Sequence, residues 1–300
     1  SPKLVKTDSG KLVMIWTTDI AARTDGNHLA VVYSVYDSLN DTWSSPVILD
    51  DDGTADFSPS VTVDGETVYV AWMNSNTVFE TAPDMTDSAA ACEIETAELT
   101  FDGEGAVQVA TAALTDDSAL DMLPSISADD GTVYVTWVKN SENDILSQSG
   151  TNTIYYAVSS GSGYTVNTCT ALDTPVVSLS VGKVGGNTEI VYEAGEDGDV
   201  STTSDIEVFV CIPGSSAVQI TDNALYEENP QFAVIDGQNV LMWYCDGNYS
   251  YTSDFSTFQT VTQEGDSTAS ANYNVICGDG KSAVVSVAEG EDGTEAYAYI

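Results

Sequence analysis

The chain has 300 residues, 42% of them hydrophobic, and 7 Lys+Arg stand against 47 Asp+Glu, a formal net charge of −40. That is ample apolar material for a core, so wholesale disorder is not expected. It is also far too little cation to neutralise nucleic-acid phosphates, which excludes nucleic acid, and the same charge disfavours adhesion to an anionic membrane. No apolar run approaches the roughly 18 residues a membrane-spanning helix needs.

One phrase recurs along the chain. A polar turn, often with a proline, leads into a short apolar stretch, then an Asp-Gly type turn, then an apolar run that usually ends in Trp. The runs are 12–16, 68–72, 133–137, 189–192, 240–243 and 282–285. Their anchors, Trp16, Trp72, Trp137, Tyr192 and Trp243, are spaced 51 to 65 residues apart. A repeat of that length built from short strands predicts propeller blades.

Each unit reads as four strands. The first follows the proline at 59–64, 124–129 and 230–235. Asp64-Gly65, Asp130-Gly131, Asp236-Gly237 and Asp279-Gly280 then make hairpin turns, where glycine takes positive φ at little cost. The β-branched run ending in the aromatic anchor is the second strand. The third reads 29–33, 154–158 and 206–210, and the fourth opens at Trp43, Val107, Tyr164, Val218 or Phe258. The second unit carries an insertion, 74–92, expected to be a loop with one helical turn after Pro83, followed by a strand over 94–99. The last unit stops after three strands, 273–276, 282–287 and 295–300.

The expected fold is all-β: one β-propeller domain over 1–300, of about six four-stranded blades, the last incomplete. The units fall at about 1–58, 59–123, 124–174, 175–229, 230–271 and 272–300. An open last blade exposes a strand edge, so the chain is expected to belong to a longer multidomain protein. Its acidic, Ser/Thr/Asn-rich composition suits a secreted or surface-attached bacterial protein whose export signal lies outside this sequence. Five cysteines, at 92, 169, 211, 245 and 277, include no CxxC pair. Several fall in apolar strand patterns, so buried free thiols are expected.

Two stretches carry a family resemblance. Residues 219–230, Gln-Ile-Thr-Asp-Asn-Ala-Leu-Tyr-Glu-Glu-Asn-Pro, followed by Asp236-Gly237, resemble the repeat of TolB-like propellers. Tyr33 to Asp37 with Thr42-Trp43-Ser44 resembles a degenerate Asp-box of sialidase-like propellers, and 251–258 is a weaker echo. The resemblance implies the fold. It says little of function, because such folds host enzymes and plain binding modules alike.

Chemistry is constrained by what is scarce. Sialidases of this resemblance clamp a carboxylate with three arginines, and this chain has one, Arg23. That all but excludes a sialidase. The single histidine, His28, sits in a polar turn without a nucleophile elbow, which argues against a His-dependent triad. Phosphate-cradling glycine loops are absent. A carboxylate pair suffices for a glycosidase, and Glu193 stands out because Tyr192-Glu193 replaces the Trp of other units. The aromatic residues crowding 243–258 offer either sugar stacking or packing.

The most structured acidic signal lies between blades. Asp56, Asp121 and Glu227 each stand three residues before a proline, at 59, 124 and 230. Carboxylates recurring at one mouth of the axis repel one another, and a hard cation such as calcium relieves this; the local alternative is that each caps its own turn. The function expected from the sequence is a non-catalytic extracellular module that binds or displays a glycan or protein ligand. Its alternative is a glycoside hydrolase or lyase using two carboxylates.

Overall fold

A computed structural model describes residues 2–23, 26–102, 107–159, 163–197, 199, 201–261, 270–271, 273–278, 281–290 and 293–299, of which 276–278, 281, 286–290 and 293–299 are described as backbone. The chain forms two compact units, Ser1–Asp173 and Thr174–Ile300.

The first unit holds three antiparallel sheets. The first sheet comprises β1 (Lys3–Lys6), β2 (Leu12–Asp19), β3 (Leu29–Asp37), β4 (Thr42–Trp43) and β5 (Val47–Ile48), the last two both pairing with β3. The second runs β6 (Asp56–Asp64), β7 (Thr67–Ser75), β8 (Cys92–Phe101) and β9 (Val107–Ala113). The third runs β10 (Leu120–Asp129), β11 (Thr132–Asn140), β12 (Asn152–Ser159) and β13 (Tyr164–Leu172). The expected helical turn after Pro83 is α1 (Met85–Ala90), started by Asp84, whose carboxylate accepts the Asp87 N–H.

The second unit repeats the plan. Its sheets are β14 (Val176–Val184), β15 (Asn187–Gly195), β16 (Ile206–Cys211) and β17 (Val218–Gln219), then β18 (Glu227–Ile235), β19 (Gln238–Cys245), β20 (Asn248–Thr252) and β21 (Gln259–Thr260). The last has three strands among the described residues: β22 (Tyr273–Gly278), β23 (Lys281–Gly290) and β24 (Gly293–Tyr299).

Local chemistry explains the hairpins. Asp130-Gly131 and Asp236-Gly237 take positive φ at both residues, 48° and 74°, then 50° and 75°. That is the primed turn whose twist matches the strands it joins. The Asp279-Gly280 turn lies outside the described residues.

The aromatic anchors lock neighbouring sheets within each unit. Trp72 is buried in a cluster with Val13, Ile15, Val31 and Tyr33 of the first sheet. Trp137 packs with Ala71 and Ile94 of the second. Trp243 packs with Val184, Val191, Val208 and Val210 of the sheet before it. Burying such rings dominates core energetics.

The first strands of three sheets start earlier than their prolines suggest. β6, β10 and β18 begin at or before Asp56, Asp121 and Glu227, and each register shifts just before its proline. At the shift Ser58, Leu123 and Asn229 adopt φ of 50°, 55° and 57°. A bulge there re-aims the side chains that precede it. The proline follows directly because it has no N–H to lose from the ladder.

The buried-thiol expectation needs correction. Cys169 and Cys211 are disulfide-bonded, whereas Cys92 and Cys245 are free, and the Cys277 side chain lies outside the described residues. A strand pattern reports whether a sulfur is buried. It does not report what stands opposite it.

Candidate functional site: buried carboxylates at the bulged strand ends

In the first unit, Asp56 sits at the start of β6, 1% exposed. Its Oδ2 accepts the Val31 N–H at 3.0 Å and its Oδ1 accepts the Trp72 indole N–H at 2.8 Å. Burial pushes its carboxyl up to about 7, against the pull of those two donors. Asp56 thus ties the first sheet to the anchor of the second.

Asp121 holds the equivalent place in β10, and Trp137 the place of Trp72, but they do not meet. Both Asp121 oxygens and the Trp137 Nε1 lack hydrogen-bond partners. Asp121 instead faces Glu93 at the start of β8. Asp117, four residues upstream, completes a group whose carboxylate oxygens lie within 4.8 Å of one another. Asp117 N–H donates to Glu93 Oε1 at 2.6 Å. Lys139, opposite Asp121 in the ladder, bonds Asp117 and lies 3.6 Å from Asp121 Oδ2. Burial pushes Asp121 up to about 8 despite Lys139. For Asp117 burial is the largest single influence, but Lys139 and the Ala119 and Ser118 N–H groups together outweigh it and hold the carboxyl below its ordinary value.

The second unit builds a related group. Asn223 N–H donates to Glu207 Oε1 at 2.8 Å, and its side-chain amide donates to Glu227 Oε1 at 2.7 Å. The Cys245 thiol lies 3.6 Å from the same oxygen. Thr115 and Thr221 explain why Asp121 and Glu227 are released to face a second carboxyl. Their hydroxyls accept Ile94 N–H at 2.8 Å and Val208 N–H at 2.9 Å, the role Asp56 fills for Val31. The signal was present as Thr115-Asp-Asp-Ser-Ala-Leu-Asp121 against Thr221-Asp-Asn-Ala-Leu-Tyr-Glu227. The proline offset singled out the last residue of each, while Glu93 and Glu207 lie too far off in sequence to be linked.

Glu193, near the end of β15, is also in the second unit. It is 2% exposed. The Ser178 hydroxyl donates to its Oε2, while Oε1 has no partner. Burial pushes its carboxyl up to about 7, against Ser178 and the Asn229 N–H. The charges of Glu228 and Glu227 add to the rise. Tyr226, half-buried, is close enough to Glu193 and Glu228 for both charges to raise its phenol, after burial itself. Glu228 is half-buried and raised by the same desolvation. The site is a carboxyl pushed by burial to about 7, a more accessible second carboxyl, and a phenol beside both.

Asp56 and Asp121 therefore lie in the first unit and Glu227 in the second. Among the described residues, Asp121 is the member of the expected metal set that the structure places in a group of three potential ligands.

The sequence matches no family model and no curated protein. Its fold, however, matches solved structures over nearly its whole length. Trypanosoma rangeli sialidase in complex with sialic acid aligns with 14% identity and a TM-score of 0.59, covering 98% of this chain and 52% of that one. The chain thus spans about half the length of the sialidases it matches. Penicillium chrysogenum alpha-L-arabinanase complexed with arabinobiose aligns with 12% identity and a TM-score of 0.60, over 99% of this chain and 92% of that one. The GH93 alpha-L-arabinofuranosidase of Fusarium graminearum aligns with 12% identity and a TM-score of 0.63, over 99% and 92%.

At such identity the likeness establishes fold: the chain is an all-β propeller, with six sheets among the described residues. The sialidase-like part of the sequence resemblance holds at that level. The comparisons add nothing for the TolB-like part. They do correct the expectation of a non-catalytic module, since the structures named here, aligned over 98–99% of this chain, are carbohydrate-cleaving enzymes. The lone arginine weighs against one chemistry, while among 47 acids the sequence singles out no carboxylate pair.

Proposed function

We propose that this protein is a glycoside hydrolase acting on a neutral glycan, with Glu193 as proton donor and Glu228 as the second carboxylate. The observation that carries it is Glu193: a buried carboxyl pushed to about 7, with a free oxygen, beside Tyr226 and Glu228. A general acid works best with a pKa near the working pH. Fold likeness to two glycosidases crystallised with arabinobiose supports an arabinan-type substrate. A net charge of −40 and one arginine disfavour an anionic sugar. The disulfide-bonded cysteines support an oxidising, extracytoplasmic setting.

The test is hydrolysis of arabinan, arabino-oligosaccharides and aryl arabinofuranosides, with a sialoside as the anionic comparison. Cleavage of a neutral substrate is expected, with Glu193→Gln and Glu228→Gln each lowering kcat by roughly 100-fold or more. Folded protein that cleaves none of these, or full activity in both variants, sinks the reading.

A further inference from the structure

The second and third sheets meet where the repeat departs from itself. In the second sheet Asp56 has both oxygens satisfied, one of them by the Trp72 indole. In the third, Asp121 has turned from Trp137, and both are left without partners. Asp121 is 0% exposed and Glu93 3%. Three oxygens of this pair, Asp121 Oδ1 and Oδ2 and Glu93 Oε2, make no hydrogen bond. Thr115 stands by both carboxyls and lowers both, but its hydroxyl, which accepts Ile94 N–H, has a single proton and can serve only one of their oxygens. Orphaned buried carboxylate oxygens are costly, and a native fold retains them where something else answers them.

We propose that Glu93, Asp117 and Asp121 bind a hard divalent cation of the Ca²⁺ class. Their ligand oxygens already lie within 4.8 Å of one another, as the shell of one ion requires. The donors are all oxygen, which excludes the softer transition metals that want His or Cys. Lys139 bonds Asp117 and answers one of the three charges, and a divalent ion answers the other two. The second unit shows what happens without the third carboxylate. There Asn223 replaces Asp117, and its amide donates to Glu227 Oε1, leaving one unpartnered oxygen on each of Glu227 and Glu207. A proton shared between two carboxyls suffices for that pair. In the first unit one proton leaves an Asp121 oxygen still orphaned, 3.6 Å from Lys139 at best.

Tb³⁺, a Ca²⁺ analogue, tests this directly. The Tyr155 ring lies 6.0 Å from Lys139 Nζ and stacks on Trp137, so bound Tb³⁺ is expected to luminesce on aromatic excitation. Ca²⁺ should displace it, and Mg²⁺ at equal ionic strength far less well. Asp121→Asn and Glu93→Gln should abolish the signal. Because buried variants risk misfolding, Asp117→Asn is the decisive one: its carboxylate is 51% exposed, and asparagine is what the second unit folds around. It should keep the melting transition without metal and weaken Ca²⁺ roughly tenfold or more. Absent luminescence, a signal that survives Asp117→Asn and Asp121→Asn, or equal stabilisation by Mg²⁺ and Ca²⁺ would overturn the site and leave Glu93 and Asp121 sharing a proton. None of these readouts depends on hydrolysis.

Discussion

Asp56 shows how one side chain is committed by two donors. Its carboxylate accepts from Val31 N–H and from the Trp72 indole at once. Asparagine has one acceptor oxygen, and its NH₂ would point at the other donor. Asp56→Asn should therefore destabilise the fold by about 1–3 kcal/mol, the cost of a buried donor left unsatisfied. Chemical denaturation measures it; a loss below about 0.5 kcal/mol would mean the site rearranges. Removing the carboxyl outright by Asp56→Ala leaves two orphaned donors and should cost more. This residue was legible in the sequence as a position, three before a proline, but its partners were not. They come from strands 16 and 25 residues away, and nothing local encodes which donor a bulge will aim a carboxylate at.

Strands and hairpins were the most legible elements. Alternating β-branched runs, Asp-Gly turns and one aromatic per repeat are local signals with local causes, so β7, β11, β15 and β19 fall where the runs predicted. Strand starts were less legible because a proline marks the bulge and the ladder resumes before it. Least legible was the packing between sheets. Gly182 on β14 lies against the Phe232 ring of β18, where an added Cβ would come within 2.4 Å of the ring. Its conformation is ordinary, so the glycine is required for closeness and not for φ. Gly182→Ala should cost about 1–3 kcal/mol by overpacking. Combining it with Phe232→Leu should recover part of the loss, a coupling that a double-mutant cycle reads directly. Simple additivity of the two losses would show that the contact is not what fixes glycine there.

At the scale of the whole molecule, the buried carboxyls set the response to pH. Asp56, Glu189 and Glu193 are each pushed by burial to about 7, whereas the unfolded chain ionises near 4. Between those values the folded state holds protons the unfolded state has lost. The contribution of these three groups to stability therefore falls as pH rises from about 4 to about 7 and levels off above it. The melting temperature should be higher at pH 5 than at pH 8 at matched ionic strength. Glu189, 2% exposed with Oε2 unpartnered, isolates the effect from general charge repulsion. Glu189→Gln should narrow the difference between the two pH values, chiefly by raising the melting temperature at pH 8. An unchanged difference would assign the whole effect to the net charge of −40. The same carboxyls make folding itself a proton-consuming reaction. Near pH 6 each chain draws protons from its buffer as it folds and returns them as it unfolds. The calorimetric heat of unfolding should then vary with the ionisation enthalpy of the buffer chosen, and the slope of that variation counts the protons.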